Sequence, residues 1–398
     1  MQTVSPETVG LSSARLQRIK SVMQRYVDQQ VFVGIVTLVA RRGQVAHLES
    51  VGWQERETKR PMTPDTIFRI YSMTKPITSA AVMMLCDMGQ LRLADPVSRY
   101  IPEFKEFQVM APRGGYAYDL VPAKREMTLH DLLTHSAGLS YGFDPHSALD
   151  DMYRKTLWRL GKEVEPVLEK QIKAFAQARL PLAFQPGTDF NYSVSIDVLG
   201  YIIQLASGQL FEDFLQERMF GPLGMVDTAF WVPPEKAQRL AALYGPAEGG
   251  GLKPIDSPEG RIYTEPTRNP SGGGGLVSTI GDYFRFGQML LNGGELEGVR
   301  LLGRKTVEWM LQNHLPPGVH PNGEQANGFG LGGAVLLHPG LSPRPGSPGK
   351  FGWGGAANTE WWIDPAEELQ CLLMLQYMPG FAVPIVEDFA QLAYQALE

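Results

Sequence analysis

The amino-acid sequence predicts a mixed α/β fold: one antiparallel sheet flanked by helices, with a mainly helical region inserted. Three observations carry this. β-rich runs lie between residues 33 and 53 and again between 335 and 377. The stretch from 90 to 285 instead shows helix patterns broken by Pro and Gly. A helix pattern also stands at each end of the chain. The expected division is residues 1–85 with 285–398 as the α/β part and 86–284 as the insertion, with a cleft between them.

Taken in order, Leu16, Ile19, Val22, Met23, Tyr26 and Val27 have helical spacing, and Ser12 or Ser13 can cap a helix over 12–28. Val33 to Ala40 and Val45 to Trp53 read as strands joined at Arg42-Gly43. Thr78 to Leu91 reads as a helix with Ala81, Met84, Leu85 and Met88 inward. Thr128 to His135 is a short helix ended by Gly138. Ile196 to Ala206 ends at Ser207-Gly208, and Leu210 to Met219 follows. Late strands are expected at Val335–His338, Glu360–Ile363 and Leu369–Tyr377, with a turn at Asp364-Pro365. Pro384 to Leu397 closes the chain as a helix.

Composition bounds the function. The 398 residues are 43% hydrophobic and 20% charged, as in a globular enzyme with a normal core. The formal net charge of −6 argues against a nucleic-acid partner, which calls for clustered Lys and Arg. Cys86 and Cys371 are no disulfide framework and read as buried structural thiols. The N-terminal residues lack the basic and apolar regions of a signal peptide, and no apolar run is long enough to span a membrane. A cytoplasmic protein without a membrane partner is expected.

Four segments could carry chemistry. In Ser72-Met73-Thr74-Lys75 the serine and lysine stand at i and i+3, one face of a helix. A serine is a poor nucleophile until a base takes its proton, and a buried amine can be that base. On spacing alone, a capping serine with a surface lysine explains the pair as well. A second copy, Ser347-Pro348-Gly349-Lys350, is no credible helix. Gly138-Leu139-Ser140-Tyr141-Gly142 matches the nucleophile elbow, which requires a strand before the serine and a helix after it. Here a helical segment precedes and Asp144-Pro145 follows, so a polar loop is the better reading. Tyr192, in Asn191-Tyr192-Ser193, could project into a cleft as general base and acid. Phe351-Gly352-Trp353-Gly354-Gly355-Ala356-Ala357 reads as a tight strand or as a strand edge that offers an N–H to an oxyanion. No metal motif occurs: His130, Asp131 and His135 suit a capped helix terminus. Ser271–Gly275 lacks the residues of a phosphate loop. No cofactor is expected.

In order, these segments resemble the β-lactamase and penicillin-binding protein superfamily, and within it the family VIII carboxylesterases. The matching text is Phe68-Arg69-Ile70-Tyr71-Ser72-Met73-Thr74-Lys75, Leu132-Leu133-Thr134-His135-Ser136-Ala137-Gly138-Leu139, Phe184-Gln185-Pro186-Gly187 with Tyr192-Ser193, Pro222-Leu223-Gly224-Met225, Ser271 to Leu276, and Trp353-Gly354-Gly355. The resemblance implies a β-lactamase/transpeptidase-like fold. It implies Ser72 as the acylated serine, Lys75 and Tyr192 as its partners, and the backbone N–H groups of Ser72 and Ala356 as oxyanion donors. Trp353-Gly354-Gly355 takes the place of the Lys-Thr-Gly motif of β-lactamases, and Ser140 becomes a decoy.

Two departures shape the expected substrate. Val194 stands where the second motif carries Asn, and Trp353 replaces the lysine that helps hold a substrate carboxylate. Lys350-Phe351-Gly352 is a shifted likeness of that motif. Short-chain acyl esters are therefore expected over anionic lactams, with Tyr71, Phe143, Phe351, Trp353, Gly354 and Gly355 as candidate substrate contacts. The alternatives are a β-lactamase, D-amino peptidase, amidase or acyltransferase of the same fold, or a catalytically silent binding module. Oligomeric state is not legible.

Overall fold

A computed structural model describes residues 2–114, 117–257 and 263–398. The chain opens with α1 (Ser13–Asp28), then β1 (Gly34–Arg41), β2 (Gln44–Glu55) and β3 (Arg60–Pro61). The middle carries α2 (Thr74–Asp87), α3 (Leu129–Leu133), α4 (Ala148–Glu163), α5 (Leu168–Gln177), α6 (Ser195–Ser207) and α7 (Ile280–Leu291). The end carries β4 (Asn327–Phe329), β5 (Ala334–Leu336), β6 (Phe351–Gly355), β7 (Thr359–Asp364), β8 (Leu369–Leu375) and α8 (Ile385–Tyr394).

Eight strands form one sheet in the order β4-β5-β6-β7-β8-β1-β2-β3, every neighbour antiparallel. The two chain ends meet at β8 and β1, where Ile35 pairs with Leu375 and Arg41 with Leu369. The sheet is thus completed by both termini, as the strand signals predict. Side chains alternate between its faces. Ile35, Val39, Cys371, Leu373 and Leu375 pack with Leu16, Ile19 and Met23 of α1 and Phe389 of α8. Val36, Leu38, Leu372 and Met374 pack on the other face with Ile77 and Ala81 of α2 and Tyr283 and Phe286 of α7. Both faces are covered, so β8 reads as an unbroken buried run rather than an alternating one.

Several boundaries differ from the sequence reading. Helix α2 starts four residues before the expected Thr78, directly after a 3-10 turn at Tyr71–Met73. Pro76 lies in its first turn, where a missing N–H costs nothing. At the other end, Gly89 at φ +72° turns the chain out of the helix before Leu91. Ser12 occupies the cap of α1, but its side chain makes no capping bond. The junctions expected at 85 and 285 fall inside α2 and α7. The helix expected over 210–219 continues through a π-type turn, Gln216–Phe220, to Leu223. Both cysteines are free thiols, Cys371 buried and Cys86 half-buried. Among the described residues, no helix is long and apolar enough to cross a membrane.

Candidate active site

The turn Tyr71–Met73 delivers Ser72 to the head of α2, and Lys75 follows one turn later. Tyr71 adopts φ +43°, a left-handed conformation that a bulky residue holds only under local constraint. Part of that constraint is β6, which runs against the turn. A Cβ on Gly355 would collide with the Ile70 carbonyl, so only glycine permits the approach. Thr359 Oγ1 donates to the same carbonyl at 3.3 Å.

Lys75 is 1% exposed. Its Nζ lies 3.1 Å from Ser72 Oγ and 2.6 Å from the Gly273 carbonyl. It also sits 4.5 Å from the centroid of the Tyr192 ring and 5.2 Å from that of Tyr141. A buried amine with this set of partners is held by dipoles and ring faces rather than by a direct carboxylate. Asp197 acts one step back. Its Oδ1 accepts from Ser271 Oγ at 2.5 Å and from the Gly273 N–H at 3.0 Å, and its Oδ2 accepts from Tyr141 Oη at 2.8 Å. One carboxylate therefore shapes the glycine-rich loop that presents the Gly273 carbonyl to Lys75.

Tyr192 precedes α6, and its hydroxyl accepts a hydrogen bond from Trp353 Nε1 at 3.2 Å. The rings of Tyr192 and Trp353 are 5.4 Å apart, and His135 packs 4.8 Å from the Tyr192 ring. His135 Nδ1 accepts the Ser193 N–H at 3.2 Å. Burial, with Lys75 adding to it, pushes the His135 imidazole well below its usual range, so it packs as a neutral ring.

A cavity of about 600 Å³ lies over these groups, with Ser72, Tyr192, Trp353, Ala356, Phe143 and Phe381 in its wall. Gly352 and Gly354 contribute backbone to it. Among the described residues, neither the Ser72 nor the Ala356 N–H donates a hydrogen bond within the protein. The structure thus brings Ser72, Lys75, Tyr192, Trp353 and Ala356 to one place. It does not bring Phe351 there: that ring is fully buried, packed over Gly330 and Gly333 and 6.0 Å from Trp361. Tyr71 is half-buried outside the cavity wall, on the side of Arg69 and Asp256.

The rival serines are occupied or misplaced. Ser140 Oγ donates to Asp150 Oδ1 at 2.6 Å and accepts the Gly142 N–H at 2.9 Å, and no strand leads into it. Ser347 lies outside any helix, and Lys350 Nζ donates to the Pro345 carbonyl. His130 and Asp131 belong to a capped helix start: Thr128 and Asp131 form a capping box, and Arg125 holds Asp131. Among the described residues, no group of three or more His, Cys, Asp or Glu is placed to hold a metal. Sequence reasoning missed Asp197, Gly273 and the Trp353–Tyr192 bond. Only Gly273 carried a signal, as part of the glycine-rich loop.

Residues 19–395 match the Beta-lactamase family. Protein Rv1367c of Mycobacterium tuberculosis is 35% identical over 365 residues, covering 89% of this chain and 88% of that protein. Esterase EstB of Burkholderia gladioli is 30% identical, covering 94% and 93%. Among solved structures, EstCE1, described as a hydrolase with promiscuous acyltransferase activity, superposes with a TM-score of 0.79 at 28% identity, covering 96% and 99%. With that match along nearly its whole length, the chain belongs to the β-lactamase family.

Proposed function

We propose that this protein is a serine carboxylesterase that hydrolyses short-chain acyl esters through an acyl-enzyme on Ser72. The observation that carries the reading is the buried Lys75 amine 3.1 Å from Ser72 Oγ, at the wall of a cavity that also holds Tyr192. Ser72 attacks the ester carbonyl as its proton passes to the Lys75–Tyr192 pair. The Ser72 and Ala356 N–H groups receive the oxyanion, at about 3 kcal/mol per donor. The alcohol leaves with the proton, and water then releases the acid. The Trp353 ring fills the place of a carboxylate-binding lysine, which favours esters over anionic lactams. The likeness to EstB and EstCE1 supports the same reaction class. The acyltransferase reading keeps a place because of the description of EstCE1: an alcohol would replace water in the second step.

The test sets p-nitrophenyl acetate and butyrate beside a chromogenic cephalosporin. Ester turnover that disappears in Ser72→Ala, with slow or no cephalosporin cleavage, supports the reading. Efficient cephalosporin cleavage without ester turnover overturns it.

A further inference from the structure

The cavity over Ser72 is lined by four carboxylates, Asp144, Asp150, Glu324 and Glu360, and among the described lining residues Arg344 is the one cation. Arg344 is already matched: its Nη1 lies 3.0 Å from Glu360 Oε1 and its Nε 3.7 Å from Glu387 Oε1. Three of the carboxylates have local donors. Asp150 takes Ser140 Oγ and the Asp144 N–H, Asp144 takes the His146 N–H, and Glu324 takes Asn327 Nδ2.

Glu360 differs from these. It is only 8% exposed and stands opposite Gly354 across β6 and β7. A Cβ on Gly354 would collide with Glu360 Oε2, so the bare glycine is what lets that oxygen reach the cavity. Oε1 is taken by Arg344, whereas Oε2 has no hydrogen-bond partner among the described residues. The ring edge of Phe381 lies 3.3 Å from the same Cβ position, whereas Trp353, opposite Trp361 in the register, turns its ring to the other face of β6, toward Tyr192 and Phe329. Burial raises the Glu360 carboxyl above its usual range and Arg344 and Lys350 oppose that, as any arriving cation would.

A carboxylate oxygen lacking a hydrogen-bond donor in a partly desolvated cavity is the chemistry that holds an ammonium group. We propose that the site prefers esters bearing an ammonium group, seated against Glu360, and disfavours esters bearing a carboxylate or sulfonate. This rests on the esterase reading of the same cavity.

Three butyrate esters test it: butyrylcholine, its uncharged isostere 3,3-dimethylbutyl butyrate, and 2-sulfoethyl butyrate. Each kcat/KM is divided by the ester's own hydroxide hydrolysis rate, which removes differences in leaving-group quality. The expected order is cationic, neutral, anionic, with the cationic ester ahead of the neutral one by about tenfold. The gap narrows at high ionic strength. It closes in Glu360→Gln, a variant checked for folding by circular dichroism; the comparison on the parent protein stands without it. Turnover of the neutral ester with no advantage for butyrylcholine, or with the sulfonate equal or better, overturns the inference and leaves the esterase reading intact. No turnover of any of the three by folded protein overturns both.

Discussion

Trp353→Phe isolates one hydrogen bond. The substitution keeps an aromatic ring beside Tyr192 and Phe329, which lie 5.4 and 5.2 Å from the Trp353 ring, and deletes the N–H that reaches Tyr192 Oη at 3.2 Å. The Lys75–Tyr192 pair must lack a proton to accept one from Ser72. Where the missing proton is that of Tyr192, Trp353 donates to an anion, a bond of about 1.5–3 kcal/mol against about 0.5–1.5 kcal/mol for a neutral pair. At about 1.4 kcal/mol per tenfold, losing the difference of about 1–1.5 kcal/mol between the two lowers kcat/KM about five- to tenfold. Trp353 is only half-buried, so the cost in stability stays below about 2 kcal/mol. The assay is kcat/KM on p-nitrophenyl butyrate, with urea unfolding as the control for folding. A stably folded variant within about twofold of the parent would refute a role for this bond in the proton path.

Two further outcomes follow from the same geometry. Gly273→Ala places a methyl against Asp197 Oδ2 and Tyr141 Oη and shifts the carbonyl that holds Lys75. Turnover should fall on the order of a hundredfold while the fold survives, and unchanged kcat would contradict the role given to the loop. Burial holds the His47 imidazole down to about 4, below the value of about 6.5 in an unfolded chain. The unfolded state therefore takes up the proton first as pH falls, and stability drops between about pH 6.5 and 4, by about 3 kcal/mol for this residue. Urea unfolding at several pH values should show that slope, flattened in His47→Gln; equal slopes in both proteins would contradict it.

What the sequence shows and hides follows from the range of the interactions involved. The helix expected over 196–206 is observed at Ser195–Ser207, because its period is local and Gly208, at φ +73°, stops it. The hairpin of β1 and β2 was legible for the same reason, as two β-rich runs around a turn at Arg42-Gly43. The start of α2 was set late, at Thr78, because the inward apolar spacing used to find it begins only at Ala81. Asn327–Phe329 stayed hidden because a three-residue strand takes its pairing from its neighbour, not from its own pattern. In the site, Ser72 and Lys75 lie one turn apart, so their contact was legible in the spacing. Trp353 and Tyr192 are joined only by the docking of β6 beside the start of α6, and no local signal records that bond. Phe351 was misassigned because aromatic character alone cannot separate a cavity wall from a ring packed over Gly330 and Gly333.

The proposed chemistry stands on Ser72 as the nucleophile. The most direct measurement is to label the folded protein with a fluorophosphonate and map the modified peptide by mass spectrometry. The label should fall on Ser72, be lost in Ser72→Ala, and be absent from Ser140, whose hydroxyl is bound to Asp150. A label on Ser140, or no label on folded protein that still turns over esters, would contradict it.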